Sequence, residues 1–131
     1  MQNEPESGKP RVLVIDDDQA LLRMIRLSMT FDGFDVATAQ DGIAALDQLD
    51  TAEFDVVVLD LQMPRMDGRT FFHEMTSRGH HPKVVVLSAY GAEDAQRELK
   101  IAAAVPKPFD PDDLLETVRR VASSKRAPTT K

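Results

Sequence analysis

Acidic and hydroxyl side chains follow three apolar runs of the chain, and their types suit them to hold a metal ion or a phosphate group. These side chains are Asp16, Asp17, Asp18, Asp60 and Ser88. Two carboxylates about 4 Å apart repel by about 4 kcal/mol at a surface-like dielectric, so clustered carboxylates need a compensating cation. Oxygen ligands without His or Cys favour Mg²⁺ or a similarly hard ion. The residue types therefore predict a metal site with a hydroxyl group beside it.

The three runs that precede these side chains predict the structure that brings them together. They are residues 12–15, 56–59 and 84–87. Four successive aliphatic residues without polar alternation are typical of strands covered on both faces, as in parallel sheets. Because ligands bind at the carboxyl ends of strands in such sheets, we expect the acidic and hydroxyl side chains to share one edge.

Helical patterns separate the strands, and the alternation predicts a doubly wound parallel α/β sheet of five strand-helix units. Helices are expected after Asp18, near 41–42, after Gly68, weakly over 92–100, and after Asp110. Asp18 and Asp110 are placed as N-caps. The apolar positions of the four stronger helices are Leu22, Ile25 and Met29; Ile43, Leu46 and Leu49; Phe71, Phe72 and Met75; and Leu114, Leu115, Val118 and Val121.

Two of the expected strands have sequence patterns that are typical of strands at the edge of a sheet. Residues 34–38 alternate between apolar and polar side chains, and residues 103–105 form a short run that ends at Pro106. Proline cannot donate a hydrogen bond to a strand ladder, so it is found at sheet edges. We therefore place both strands at or near the margins of the sheet.

Composition limits the class of protein. The chain has 131 residues, net charge -6 and no cysteine. We expect one domain over 11–122, with disordered tails at 1–10 and 123–131. The acidic balance predicts no direct nucleic-acid or membrane partner. The lack of cysteine excludes thiol catalysis and Cys-ligated zinc. The polar N-terminus and the absence of a long apolar stretch favour a soluble, cytoplasmic protein.

Four separated motifs resemble the receiver domain of two-component response regulators. They are Val14-Ile15-Asp16-Asp17-Asp18, Leu59-Asp60-Leu61-Gln62-Met63-Pro64-Arg65-Met66-Asp67-Gly68, Leu87-Ser88-Ala89 and Lys107-Pro108-Phe109. The motifs agree with that family in order and spacing over nearly all of 11–122. The resemblance implies a (βα)5, flavodoxin-like or CheY-like fold with strand order 2-1-3-4-5.

The resemblance also implies a role for each residue of the site. Asp60 would accept a phosphoryl group, and Ser88 and Lys107 would contact it. Mg²⁺ would be the cofactor. Its ligands would be Asp16, Asp17, Asp60 and the backbone carbonyl of Gln62. The resemblance further implies a cis bond between Lys107 and Pro108. Asp18 is assigned as a helix cap rather than a ligand, and the methionines of the loop after Asp60 are assigned to packing.

The expected partners also come from the resemblance. The phosphoryl donor would be a sensor histidine kinase or a histidine phosphotransfer protein, and the output partner is unknown. The chain would be a monomer or a phosphorylation-dependent dimer. It would act as a signalling phosphoacceptor rather than an enzyme, with self-phosphorylation from small donors and autodephosphorylation. Gln62 and Tyr90 are expected to tune the lifetime of the phosphate.

One departure from the family pattern affects the switch. Receivers commonly carry Tyr or Phe three residues before the lysine, where this chain has Ala104, and Lys100 stands at the position of a usual Gly. We therefore expect switching to depend on Ser88 moving toward the phosphoryl group. This movement would bias the weak helix over 92–100.

Two other functions fit parts of the sequence. Asp16 and Asp18 loosely resemble the nucleophile and acid of haloacid-dehalogenase-type phosphatases, although Ala20 replaces the expected Thr or Val. Flavin-mononucleotide binding on a flavodoxin-like sheet is weaker, because the first strand leads into aspartates rather than a phosphate loop. Turnover of a phosphate ester would favour the first alternative, and a yellow protein the second.

Overall fold

The apolar runs form strands of one sheet in a computed structural model that describes residues 8–63, 66–88, 99 and 101–123. The strands are β1 (Arg11–Ile15), β2 (Asp35–Ala39), β3 (Val56–Asp60), β4 (Lys83–Ser88) and β5 (Ala103–Pro106). The helices are α1 (Gln19–Phe31), α2 (Gly42–Thr51), α3 (Gly68–Ser77) and α4 (Pro111–Ser123). Apart from residue 99, the helix predicted over 92–100 lies outside the described residues, as do Tyr90 and most of both predicted tails.

The five strands are all parallel and lie in the order β2-β1-β3-β4-β5. This confirms the predicted fold class and strand order. The two strands with marginal patterns, β2 and β5, are the edges of the sheet, and Pro106 is the last residue of β5. This proline, which has no backbone N–H, therefore lies on an edge strand, and the hydrogen bonds between the central strands stay complete.

The uninterrupted apolar runs are explained by burial on both faces of the sheet. In β1, Leu13 and Ile15 belong to one core cluster, and Val12 and Val14 belong to the other. The first cluster includes buried residues of α2 and α3, and the second includes those of α1 and α4. Because successive side chains of a strand point to opposite faces, both sets must be apolar.

Aspartate side chains begin three of the helices. Asp18, Asp41 and Asp67 each accept a hydrogen bond from the backbone N–H three residues later, at 3.1, 2.8 and 2.8 Å respectively. At α4, Asp110 accepts from the N–H of Asp112 at 2.8 Å. Each carboxylate satisfies an N–H that the helix itself leaves unpaired. The caps predicted at Asp18 and Asp110 are confirmed.

The helices bury most of the predicted apolar positions, but α2 differs at one of them. Its buried face consists of Gly42, Ala45, Leu46 and Leu49. Ile43 is 55% exposed, so it does not contribute to the core. On α1, Leu27 and Phe31 are 64% and 95% exposed and lie on the side opposite the buried face. No helix in the described ranges is long and apolar enough to cross a membrane.

Candidate functional site

Asp16 and Asp17 stand at the carboxyl end of β1. The Asp16 side chain is fully buried, and its Oδ1 accepts a hydrogen bond from the N–H of Asp18 at 3.0 Å. The Asp16 N–H donates to the carbonyl of Ala39 at 3.2 Å, which ties the residue to the edge strand. Asp17 is exposed. One carboxylate is thus fixed within the protein and its neighbour faces the solvent.

Asp60 is the last residue of β3 and is 2% exposed. Its Oδ1 accepts a hydrogen bond from the N–H of Gln62 at 3.0 Å. Burial, together with the charge of Asp16, raises the pKa of Asp60 from 3.8 to about 6, although the Gln62 N–H and Lys107 oppose the rise. The charged form of this carboxylate is therefore held in an unfavourable environment, where a nearby cation would lower its energy.

Lys107 reaches the same place from the end of β5. Its Nζ lies 3.0 Å from Oδ2 of Asp16 and 3.5 Å from Oδ2 of Asp60. Burial by itself would lower the pKa of Lys107, but the hydrogen bond and charge of Asp16, with the charge of Asp60, raise it above its usual value. The Lys107–Pro108 bond is cis, as expected. Lys107 thus supplies one positive charge to two buried carboxylates.

The carboxylates of Asp16, Asp17 and Asp60 each offer an oxygen, and these oxygens all lie within 4.8 Å of one another. Three negative charges face one ammonium group, so the cluster keeps an excess of negative charge even with Lys107 present. Oxygen donors in this number suit a hard divalent cation such as Mg²⁺. The donor set and its charge therefore fit the expected cofactor.

Ser88 ends β4 next to β3, where Asp60 pairs with the preceding residue, Leu87. Its side chain is 1% exposed, and its hydroxyl donates to Oε1 of Gln62 at 3.0 Å. The carbonyl of Ser88 accepts from the N–H of Lys107 at 2.9 Å. Ser88 is consequently bound to the loop after Asp60 through its side chain and to Lys107 through its backbone.

Gly68 allows the loop after Asp60 to pass close to α3. A Cβ at this position would lie 2.8 Å from Leu61 Cα and 3.0 Å from the Asp60 carbonyl oxygen. At Gly42, the first residue of α2, a Cβ would instead meet the flexible Met66 side chain, with 2.7 Å to its Sδ. The backbone atoms near Gly68 cannot move aside as easily as the Met66 thioether near Gly42.

We expect Gly68→Ala to lower the free energy of unfolding by roughly 1–3 kcal/mol, because the added methyl group displaces backbone at the end of β3. Gly42→Ala is the matched control and should cost less than about 1 kcal/mol, because the Met66 side chain can move aside. Urea unfolding of both variants measures the difference. If both variants lost the same free energy of unfolding, the close contact between Gly68 and the backbone at the end of β3 would not matter for stability.

The structure brings together the residues predicted for the site, namely Asp16, Asp17, Asp60, Gln62, Ser88 and Lys107. Asp18 turns away as the cap of α1 and is not part of the carboxylate group. Met63 is buried and Met66 packs against the core, as assigned. Ala104 lies in β5 beside Val86.

Three side-chain contacts were not anticipated from the sequence. The bond between Ser88 and Gln62 joins residues 26 positions apart. On α2, Asp50 contacts Arg78 at 2.6 Å and His80 Nε2 at 2.8 Å. The His80 hydrogen bond and the charge of Arg78 lower the pKa of Asp50. None of these contacts has a local sequence signal, since each joins residues that only the tertiary fold brings together.

Comparisons with known proteins agree with this geometry. The family model described as response regulator receiver domain matches residues 12–119. Response regulator MprA of Mycobacterium sp. (strain KMS) is 38% identical over 112 residues, which are 83% of this chain and 49% of MprA. This chain therefore spans about half the length of the curated relatives it matches.

Solved structures give the same result. The Francisella response regulator 1452 receiver domain has 32% identity and a TM-score of 0.79, and the match covers 87% of this chain and 97% of that one. TrrA from Thermotoga maritima, a response regulator in complex with Mg²⁺-BeF, has 27% identity and a TM-score of 0.73, with 86% and 98% covered. By its sequence, its fold and the residues at its sheet edge, the chain belongs to the family of response regulator receiver domains of two-component systems.

Proposed function

We propose that Asp60 accepts a phosphoryl group from a phosphohistidine, with Mg²⁺ bound beside it, and that the phosphorylated form switches a surface that binds a partner. The observation that carries this proposal is the position of Asp60. Its carboxylate is buried, lies 3.5 Å from the ammonium group of Lys107, and shares a possible metal site with Asp16 and Asp17.

The chemistry is a phosphoryl transfer with Asp60 as the nucleophile. One Asp60 carboxylate oxygen forms a bond to phosphorus while the bond from phosphorus to the donor nitrogen breaks. The electron pair of that bond stays on the imidazole, which takes up a proton. A bound Mg²⁺ would neutralise charge on the transferring group. The Asp16 and Asp17 carboxylates, with Asp60 and the Gln62 carbonyl, would hold the ion.

Lys107 and Ser88 have separate roles in this proposal. Lys107 already lies between Asp16 and Asp60, so its ammonium group would stabilise negative charge that develops on the phosphoryl oxygens. Ser88 is one residue past the strand partner of Asp60, and in this proposal its hydroxyl would donate to a phosphoryl oxygen. Lys107 would be in place before phosphorylation, whereas the Ser88 hydroxyl, which donates to Gln62 Oε1 in the structure, would turn toward the phosphoryl group.

We infer that the donor is a sensor histidine kinase or a histidine phosphotransfer protein, as the family implies. This chain covers about half the length of relatives such as MprA. The partner that responds to phosphorylation is therefore proposed separately. We propose that an unidentified partner, in the same chain or a separate one, reads the phosphorylated state. Self-phosphorylation from small phosphodonors and autodephosphorylation belong to the same proposal.

The proposal is tested by incubating the protein with acetyl phosphate and Mg²⁺ and measuring its intact mass. We expect one added phosphoryl group in the parent, and none when the metal is chelated or when Asp60 is replaced in Asp60→Asn. Asp47→Asn is the matched control, because Asp47 is an exposed carboxylate on α2. If Asp60→Asn still gained the mass of a phosphoryl group, the proposal would be wrong.

A further inference from the structure

The solvent-facing side of α1 carries a continuous apolar stripe. Met24, Leu27 and Phe31 are 37%, 64% and 95% exposed, and Ala20, one turn before Met24, is exposed as well. The opposite side of α1 is also apolar and is buried in the core; its residues are Leu22, Ile25 and Met29. α1 is therefore apolar on two sides, of which the fold uses one. An exposed apolar patch of this kind marks an interaction surface.

The spacing of the stripe is that of a seam between two helices. Ala20, Met24, Leu27 and Phe31 follow one another at intervals of four, three and four residues. These are the intervals between the a and d positions of a two-helix coiled coil, where the side chains of one helix fit between those of the other. A strand, with its period of two residues, does not match them. The stripe therefore fits a second helix.

The charges of α1 allow that second helix to be another copy of α1. The helix contains no acidic residue, and its two arginines, Arg23 and Arg26, line the groove beside the end of β2. The stripe itself is uncharged, so two copies can meet along it without like charges in the seam. If the two helices are antiparallel, the partly positive amino end of each also lies beside the partly negative carboxyl end of the other.

The side-chain sizes of the stripe complement one another in an antiparallel pair. Ala20 of one copy faces Phe31 of the other, and Met24 faces Leu27. A small residue thus opposes a large one at both ends, which fills the seam without a clash. Two copies that bury the stripe and the side chains beside it cover roughly 1,000 Å², which is near the lower limit for a specific interface.

We propose that α1 pairs with α1 of a second copy in antiparallel orientation and forms a weak, reversible homodimer. The two-fold axis passes near the middle of the stripe, so both copies use the same residues and the assembly closes at two chains. A dissociation constant on the order of 100 µM is expected for an interface of this size. The stripe includes none of the residues of the carboxylate site, so this inference does not depend on the proposed phosphorylation.

Sedimentation equilibrium at protein concentrations from about 10 µM to about 1 mM measures the association. Leu27→Lys should weaken it at least about tenfold, because the substitution removes a buried leucine and places two charges in the seam. Ile43→Lys is the matched control and should have no effect. Ile43 is 55% exposed, but it lies on α2, which packs on the other face of the sheet. Because both side chains are exposed, neither substitution is expected to disturb folding.

The chain has no cysteine, so disulfide trapping can establish the direction of the pair. When Ala20→Cys and Phe31→Cys are mixed and oxidised, we expect a cross-linked heterodimer. Neither variant alone should link to itself, because in an antiparallel pair its two cysteines are about 16 Å apart along the helix axis, beyond the reach of a disulfide. If each variant linked to itself as readily as to the other, the pair would be parallel and the inference would be wrong.

The remaining outcomes are equally decisive. A parent that stays monomeric at about 1 mM would overturn the inference and leave a helix of another protein as the occupant of the stripe. Equal weakening by Leu27→Lys and Ile43→Lys would place the association on another surface. A dimer that forms only with Mg²⁺ and beryllium fluoride, which mimics a phosphoryl group on a carboxylate, would also refute it, because α1 pairing requires no phosphoryl group. None of these results bears on Asp60, whose phosphorylation is tested separately by intact mass.

Discussion

Replacing Asp60 by asparagine should raise the free energy of unfolding of the metal-free protein by about 3 kcal/mol near pH 8 and by little near pH 4. The pKa of Asp60 rises from 3.8 to about 6, mainly because the carboxyl is buried and Asp16 is close. One pKa unit corresponds to about 1.4 kcal/mol. The ionised carboxylate therefore lowers the free energy of unfolding, whereas an uncharged amide at the same position does not.

The direction with pH follows from the raised pKa. A carboxyl whose pKa is higher in the folded state binds more protons there than in the unfolded chain. Its favourable contribution is fully present below pH 3.8 and is lost as the pH rises through about 6. The parent should thus lose stability across this window relative to Asp60→Asn, whose amide does not titrate.

Urea unfolding in the presence of a chelator, at several pH values, measures this difference. Asp47→Asn again serves as the control and should show no comparable gain. Added Mg²⁺ should reduce the advantage of Asp60→Asn, because the ion stabilises the ionised carboxylate of the parent. A variant that is less stable than the parent near pH 8 without metal would contradict the assigned environment of Asp60.

The second large effect concerns the metal. Asp17→Asn should weaken Mg²⁺ binding at least about tenfold, because it removes one of three negative charges whose oxygens lie within 4.8 Å. Metal-free stability should change little, because Asp17 is exposed. The neighbouring substitution Asp18→Asn is a close control, since Asp18 caps α1 and asparagine is an equally good cap.

Calorimetric titration with Mg²⁺ and the metal-dependent shift of the unfolding midpoint both report this effect. An ion present at about 100 times its dissociation constant stabilises the fold by about 2.7 kcal/mol. The parent and Asp18→Asn should gain equally at a given Mg²⁺ concentration, and Asp17→Asn should gain less. Equal weakening by Asp17→Asn and Asp18→Asn would show that the ion is not held at the expected carboxylates.

Much of the fold could be predicted because the sheet is covered on both faces. The runs in β1 and β3 place alternate side chains in two separate cores, which leaves no polar position until the strand ends. The abrupt change to Asp16 and Asp60 therefore marks the edge of the sheet as well as the site. The strand order came from resemblance to a family, since periodicity alone does not order parallel strands.

Other features could not be predicted from the local sequence. Ile43 follows the N-terminal residue of α2 and fits an apolar pattern, yet the packing of α2 leaves it 55% exposed while Ala45 is buried. The Ser88–Gln62 bond depends on the separation of β3 and β4 and on the conformation of the loop after Asp60. Such contacts are decided by tertiary geometry and not by propensity.

The route from the site to a partner stays a prediction. Ala104 gives β5 no aromatic side chain at the position where receivers commonly have one, and the helix predicted over 92–100 lies, apart from residue 99, outside the described residues. Among the described contacts, those of Ser88 with Gln62 and Lys107 could respond to phosphorylation. We therefore expect substitutions of Ser88 to affect switching more than substitutions of Ala104.

The most direct measurement locates the phosphoryl group on the chain. The protein is treated with acetyl phosphate and Mg²⁺ and then with borohydride, which reduces an aspartyl phosphate to homoserine, and its peptides are analysed by mass spectrometry. The account predicts homoserine at position 60 and unmodified aspartate at positions 16, 17 and 18. Homoserine at one of those three positions, with Asp60 intact, would contradict it.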